Sequence, residues 1–167
     1  MQCFGLRIDS KAEMKEVLRN SKSNYLLIGE DSQIEGGVYI FQTKEDNFLK
    51  LSIGLITEGH GLQPECKIVG EKVLIGFNKE IHIIDIGKNE HNKINADSLF
   101  YEFSPKNYQD KVIAIFELEV MCLSLAGEKL WKYFTDIITD YLIENDKINI
   151  LTELGEEHIS LLNGEKI

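Results

Sequence analysis

The sequence predicts a mostly β protein, built of antiparallel sheets from tandem hairpins, with one short N-terminal helix. Three observations support this fold class. A two-armed segment recurs three times in the second half of the chain, apolar residues alternate with period two inside its arms, and a helix-capping pattern occurs near the N-terminus. The elements are justified below in chain order.

The N-terminal helix is predicted over residues 10–20. Ser10 followed by Glu13 matches a capping box, in which each side chain serves a backbone N–H of the first turn. Met14, Val17 and Leu18 then follow at helical spacing. The spacing therefore predicts one short amphipathic helix.

A degenerate β unit is predicted over residues 24–56. Three apolar runs, YLLIGE, GGVYIFQT and NFLKLSIGL, are separated by residues that favour turns. Gly36, Gly37 and the Glu45-Asp46-Asn47 segment supply the turn chemistry. We expect three strands here, with less regular spacing than in the rest of the chain.

Three β units are predicted to begin near residues 71, 110 and 146. Each starts with an acidic residue and a lysine, Lys72, Lys111 or Lys147, and each closes on a glycine, Gly87, Gly127 or Gly164. Between these points lie two apolar runs joined by a short polar break, as in a hairpin. Apolar residues occupy both faces of the arms, with Leu151 on the second face of the last unit, which predicts strands covered on both sides.

Residues 131–145 fit two periodicities. Leu130, Phe134, Ile138 and Tyr141 lie on one face of a helix. The segment GEKLWKY, however, repeats in the closing GEKI, where the same turn leads to the same apolar position, and this favours strands. We expect the N-terminal strand, residues 3–8, to complete the sheet that GEKI leaves unfinished, so that its removal costs several kcal/mol.

A hairpin, a glycine turn and an aromatic-bearing strand, as in GEKLWKY, resemble the repeats of quinoprotein-type and WD-type β-propellers. The resemblance covers residues 71–167 and implies a small ring of at most four blades. A two-sheet β-sandwich from the same hairpins is the alternative arrangement. Length and composition predict a single domain over residues 1–167.

The charge of the chain is strongly acidic, with a formal net charge of −10. Such a balance repels phosphate backbones and anionic lipid surfaces, and it suits a basic protein partner. Residues 135–167 carry eight carboxylates and two lysines, which is more than half of the net negative charge. A solvated acidic face that only maintains solubility is the alternative interpretation.

The compartment predicted from the sequence is the cytoplasm. No export signal or membrane-length apolar segment is recognisable. Cys3, Cys66 and Cys122 are odd in number and widely spaced, and we expect each to be a reduced, buried small side chain.

Motifs for phosphate binding, nucleophilic catalysis and zinc binding are missing, so we expect no enzyme, no cofactor and no metal site. His82, His91 and His158 are expected to be structural. His60 lies between two glycines beside Glu58, which suggests a small-molecule pocket or an enzyme site as an alternative function.

The predicted partner-binding residues combine aromatic rings with the acidic C-terminal region: Trp131, Tyr133, Asp136, Asp140, Glu144, Glu153, Glu156 and Glu157. Rings supply buried area, and carboxylates attract a cationic partner. In general profile the chain is similar to a bacterial toxin-immunity protein, which implies sequestration of a basic toxin such as a nuclease. A structural repeat module in a larger assembly is the third possibility, and the sequence fixes neither the partner nor the oligomeric state.

Overall fold

The protein is mostly β, as the sequence predicts. A computed structural model describes residues 1–29, 36–106, 108 and 111–167, and in these ranges fifteen strands and one helix form. The strands make four antiparallel or mixed sheets. The chain divides into two compact units, Met1–Lys93 and Ile94–Ile167, which are described separately. The single-domain organisation stays a prediction.

The first unit contains the helix and two sheets, in the orders β1-β3-β4-β2 and β5-β6-β7-β8. β8 continues two residues past the boundary of the unit. Its elements are β1 Gln2–Ile8, α1 Lys11–Asn20, β2 Asn24–Ile28, β3 Val38–Glu45, β4 Phe48–Ile56, β5 Glu65–Val69, β6 Lys72–Phe77, β7 Glu80–Asp85 and β8 Glu90–Asn95.

The predicted helix is confirmed with its cap. The Glu13 backbone N–H donates to Ser10 Oγ at 3.2 Å, and Ser10 itself is extended, as an N-cap residue should be. The helix buries Met14 and Leu18 against Val38 and Ile40 of β3 and covers one face of the first sheet. The opposite face packs on the second sheet through nine buried apolar side chains.

The second unit also contains two sheets, in the orders β12-β11-β10-β9 and β13-β14-β15, which pack on each other through a shared core of buried isoleucines. Residues 131–145 are strands, not helix, as the repeated GEK turn indicated. The elements are β9 Phe100–Phe103, β10 Lys111–Phe116, β11 Glu119–Ser124, β12 Lys129–Phe134, β13 Ile138–Glu144, β14 Lys147–Thr152 and β15 Gly155–Ser160.

The strands at the three predicted β units share one arrangement. Lys72, Lys111 and Lys147 are the first residues of β6, β10 and β14, and each of these strands pairs with the next one as an antiparallel hairpin. Asp110, predicted to open the second copy, lies outside the described residues. The degenerate unit at 24–56 contributes β2, β3 and β4, and β2 pairs parallel to β4; residues 30–35 of that unit are not described.

The third copy departs from the expectation that all the arms are covered on both sides. β6, β7, β10 and β11 are buried along nearly their whole length, whereas in β14 only alternate residues are buried. Leu151, expected on a covered face, is 48% exposed. An apolar pattern defines which residues share a face, but it does not supply the layer that covers that face.

The expected closure of the C-terminal sheet by the N-terminal strand is wrong. β1 pairs with β3 along its whole length, from Gln2 to Ile8. The segment that pairs beside β15 is instead GEKI itself, residues 164–167. Gly164 turns the chain with φ +73°, and Lys166 forms an antiparallel bridge to Ile159 of β15. No helix among the described residues is long and apolar enough to cross a membrane.

The expectation of three reduced cysteines is wrong for two of them. Cys3 of β1 and Cys66 of β5 form a disulfide, with their Cα atoms 6.8 Å apart. The two residues are 63 positions apart in sequence, and only the arrangement of the two sheets brings them together. Cys122 is free and buried, as expected.

Candidate partner-binding face

The predicted partner-binding residues all lie on β12 to β15 or in the connections between these strands. Trp131 and Tyr133 are on β12, Asp140 and Glu144 on β13, and Glu156 and Glu157 on β15. Asp136 and Glu153 lie in the connections. Their role in binding stays a prediction, but the structure divides them between two sides of the C-terminal sheet.

One group faces the interior. Glu157 is half-buried and accepts hydrogen bonds from Tyr133, Thr135 and Lys166, and the hydrogen bonds from Lys166 and Thr135 lower the pKa of its carboxyl group. Trp131 packs against the shared core of the second unit, and its buried indole N–H has no hydrogen-bond partner among the described residues. Of the predicted partner-binding residues, Trp131, Tyr133 and Glu157 thus lie between the two sheets of the unit.

The other group faces outward, on the face of β13, β14 and β15 that points away from the shared core. Cross-strand pairing places Asp140 opposite Leu151, and Leu151 opposite Glu156. In the adjacent row Leu142 is opposite Asn149, whose side-chain oxygen is 2.9 Å from Nδ1 of His158. We call this surface the outer face, defined by Asp140, Leu142, Glu144, Lys147, Asn149, Leu151, Glu156 and His158.

The centre of the outer face is apolar and its margin is acidic. Leu142 is 55% exposed, and Leu151 lies diagonally beside it between the two carboxylates of its row. A depression of about 260 Å³ is lined by Asp140, Tyr141, Leu142, Asn149, Leu151 and Glu156. Leu154, in the β14–β15 turn beside Glu153, is 86% exposed.

Few positive charges balance these carboxylates. Lys147 is the cation of the outer face and is 4.0 Å from Glu144, and the imidazole of His158 is 3.9 Å from Glu156. Neither separation gives a strong ion pair at an exposed surface. The outer face therefore presents leucine side chains to solvent within a negative potential, an arrangement that attracts a cationic surface and buries apolar area on contact.

The leucines of the outer face are the residues that sequence analysis missed. The apolar pattern does not single out Leu142 or Leu154, and it predicts a covered face for Leu151, because alternation does not reveal which side of a strand is covered. The signal that could have found them is the third repeat itself, in which charged residues share the second face with leucine.

The alternative site at His60 is an exposed pair. His60 Nε2 is 2.9 Å from Glu58 Oε2, and more than a third of each side chain is accessible to solvent. A depression of about 290 Å³ lies beside them and includes Arg7, Tyr39 and Glu58 in its lining, but not His60. A catalytic or ligand-binding role for His60 stays a prediction.

His82 and His91, expected to be separate structural residues, form a pair. His82 is buried, its Nδ1 lies 2.7 Å from His91 Nε2, and its Nε2 lies 3.0 Å from Glu80 Oε1. Lys93 Nζ donates a hydrogen bond to the other oxygen of Glu80, Oε2, at 3.1 Å. With Glu80 ionised, His82 donates from Nε2 and accepts from His91, so the pair can bind one additional proton but not two.

We predict that acid destabilises the first unit through this pair. Burial and the charge of His82 lower the pKa of His91 below its ordinary 6.5. The folded state therefore binds this proton less readily than the unfolded chain, and the stabilisation is complete above pH 6.5 and is lost as the pH falls through the lowered pKa. Burial would raise the pKa of Glu80, but hydrogen bonds from His82 and Lys93 lower it, which adds a loss of the same sign below pH 4.5.

The measurement is urea unfolding of the wild type, His91→Asn and His60→Asn between about pH 8 and pH 5. His91→Asn should flatten the pH dependence, whereas His60→Asn, at an exposed position, should leave it unchanged. Equal slopes for the wild type and His91→Asn would contradict the role of the pair.

Comparisons with known proteins do not assign this chain to a family. No family model and no curated protein matches it. Among solved structures, the WD40 domain of Pan2 from Neurospora crassa is similar over 80% of this chain, with 12% identity and a TM-score of 0.47. The chain spans 48% of the length of that domain. A similarity at this level assigns neither a family nor a function. Among the described residues, no group of three or more histidine, cysteine or acidic side chains is arranged to hold a metal ion.

Proposed function

We propose that this chain is a non-catalytic binding protein that takes a basic protein partner on the outer face of β13, β14 and β15. The observation that supports it most directly is the row Asp140–Leu151–Glu156, in which an exposed leucine lies between two carboxylates. A cationic partner with an apolar contact residue complements both features of this row.

The burial of the repeat adds a second argument. The hairpins β6–β7 and β10–β11 are covered on both faces, and the hairpin β14–β15, built on the same pattern, is covered on one. Leu142, Leu151 and Leu154 together expose apolar area that a partner could bury at a gain of roughly 25 cal/mol per Å². A face that only maintains solubility requires exposed carboxylates, and exposed leucines do not contribute to solubility.

The proposed partner is a basic toxin domain, for which this chain would act as an immunity protein. The argument is electrostatic: a nuclease active site is cationic because it binds phosphate, and a carboxylate-rich surface can mask it. Sequestration requires only a complementary surface and no catalytic group on this chain.

The charge-reversed double variant Asp140→Lys/Glu156→Lys tests the face. We expect it to bind the partner at least about tenfold more weakly, because two attractive contacts become repulsive. The partner is first identified by affinity capture from cells of the source organism, as the protein that the wild type retains and the double variant loses. Dissociation constants are then measured with the purified partner at about 0.05 M and about 0.5 M salt.

The double variant Glu16→Lys/Glu90→Lys is the charge-matched control, since both carboxylates are exposed and lie outside the C-terminal sheet, on α1 and β8. It should retain the partner. Loss of binding in the control to the same degree would show that only net charge matters. An affinity that is indifferent to both salt and the double variant would contradict the proposed face.

A further inference from the structure

The Cys3–Cys66 disulfide joins two edge strands of different sheets. β1 is at the edge of the first sheet, where it pairs with β3, and β5 is at the edge of the second sheet, where it pairs with β6. Among the described strand pairings, none connects β1 to β5. The disulfide is therefore the covalent link between two strands that are otherwise held in separate hydrogen-bonded ladders.

Thiol–disulfide exchange in the first unit can occur only at Cys3 and Cys66. Both cysteines are only partly buried, so an attacking thiolate has access that the core would deny. Cys122 is fully buried, and burial raises the pKa of its thiol to about 11, so it stays protonated and unreactive. The third cysteine does not compete for the disulfide.

The rest of the first unit does not depend on the disulfide for its core. Nine buried apolar residues pack the two sheets together, and seven residue pairs hold β1 to β3. Ile8, at the end of β1, is buried in the separate cluster under α1. Opening the disulfide is thus expected to loosen β1 and β5 locally while the sheets stay assembled.

We propose that the Cys3–Cys66 disulfide is a reversible redox clasp that holds the N-terminal strand β1 to β5. A dithiol reductant opens it: one thiolate attacks a cysteine sulfur to form a mixed disulfide, and the second thiol resolves that bond. The protein gains two electrons and two protons as two thiols, and the reductant becomes a disulfide. In the cytoplasm that the sequence predicts, such a clasp would be open under reducing conditions and would close under oxidative stress.

Hydrogen–deuterium exchange of the full chain tests the clasp, with and without dithiothreitol. We expect amides of β1 to exchange at least about tenfold faster after reduction, while β10 and β11 keep their rates. Cys3→Ser should exchange fast at β1 with or without reductant, and Cys122→Ser should respond as the wild type does. If Cys3→Ser fails to fold, reduction of the wild type still provides the comparison.

Three results would overturn the clasp. The first is alkylation of both Cys3 and Cys66 in protein oxidised with glutathione disulfide, which would show that the bond does not form. The second is an unchanged exchange rate at β1 after reduction. The third is faster amide exchange throughout the first unit after reduction, which would show that the disulfide is required for the folding of this unit. None of these results bears on the outer face, so the clasp and the proposed function are tested separately.

Discussion

Replacing Lys132 by Met is expected to lower the free energy of unfolding by about 3 kcal/mol, because it leaves a buried carboxylate without its cation. Glu119 is fully buried, and its Oε1 accepts hydrogen bonds from the backbone N–H groups of Asp97 and Ser98 at 2.6 and 3.1 Å. Its Oε2 has no hydrogen bond among the described residues, and the Lys132 ammonium 3.2 Å away compensates its charge.

The charge of Lys132 is secured by its surroundings. Burial alone would lower the pKa of this ammonium, but its hydrogen bond to Asp97 and the negative charges of Asp97 and Glu119 outweigh the burial and raise it. Lys132 also lies 4.3 Å from the centroid of the Phe134 ring, a cation–π contact. The ion pair is formed at neutral pH and is lost as the pH rises through the raised pKa of the lysine.

The measurement is urea unfolding of Lys132→Met beside two further variants. Lys129→Met, an exposed lysine on the same strand, should change stability by less than about 0.5 kcal/mol. The double variant Lys132→Met/Glu119→Gln should be more stable than Lys132→Met alone, because the unpaired buried charge is gone. Equal stability of Lys132→Met and Lys129→Met would contradict this account of the ion pair.

Replacing Gly164 by Ala is expected to lower the free energy of unfolding by about 2–3 kcal/mol, an effect of similar size. Gly164 has φ +73°, where an L side chain is strained, and an added Cβ would lie 2.7 Å from Cε3 and 2.8 Å from Cδ2 of Trp131. The ring has little room to move because it packs against the shared core of the second unit. Backbone strain and overpacking therefore add at this position.

Gly70→Ala separates the two causes. Gly70 has φ +61°, and nothing lies within 4 Å of the position of an added Cβ, so only the strain of about 1 kcal/mol applies. Trp131 is the single tryptophan of the chain, and its fluorescence reports the unfolding of the second unit, which contains Gly164. Circular dichroism in the far ultraviolet follows the unfolding of the first unit, which contains Gly70. A cost for Gly164→Ala no greater than that for Gly70→Ala would show that the ring contact is unimportant.

Local patterns predicted the elements well. The Ser10–Glu13 cap and the apolar spacing after it located the helix, and the lysines at 72, 111 and 147 located the first residues of three strands. These features depend on contacts within a few residues, which a sequence shows directly. The choice of strands for residues 131–145 succeeded because one turn sequence occurs twice.

Contacts between distant residues could not be predicted in the same way. Nothing near Cys3 or Cys66 indicates that β1 and β5 lie side by side. The His82–His91 hydrogen bond spans only nine residues, but it depends on how β7 pairs with β8. The expectation that residues 3–8 would pair with the C-terminus failed for the same reason: every exposed strand edge offers the same backbone groups. Of the candidate site, the carboxylates were foreseen, but the leucines between them were not.

Hydrogen–deuterium exchange of this chain with and without the purified basic partner tests the central claim most directly. We predict slowed exchange in β13 and in the β14–β15 hairpin, centred on residues 140–156, with no change in α1. Protection confined to α1 or to the first unit, with β13 to β15 exchanging as in the free chain, would contradict the claim that the outer face is the binding surface.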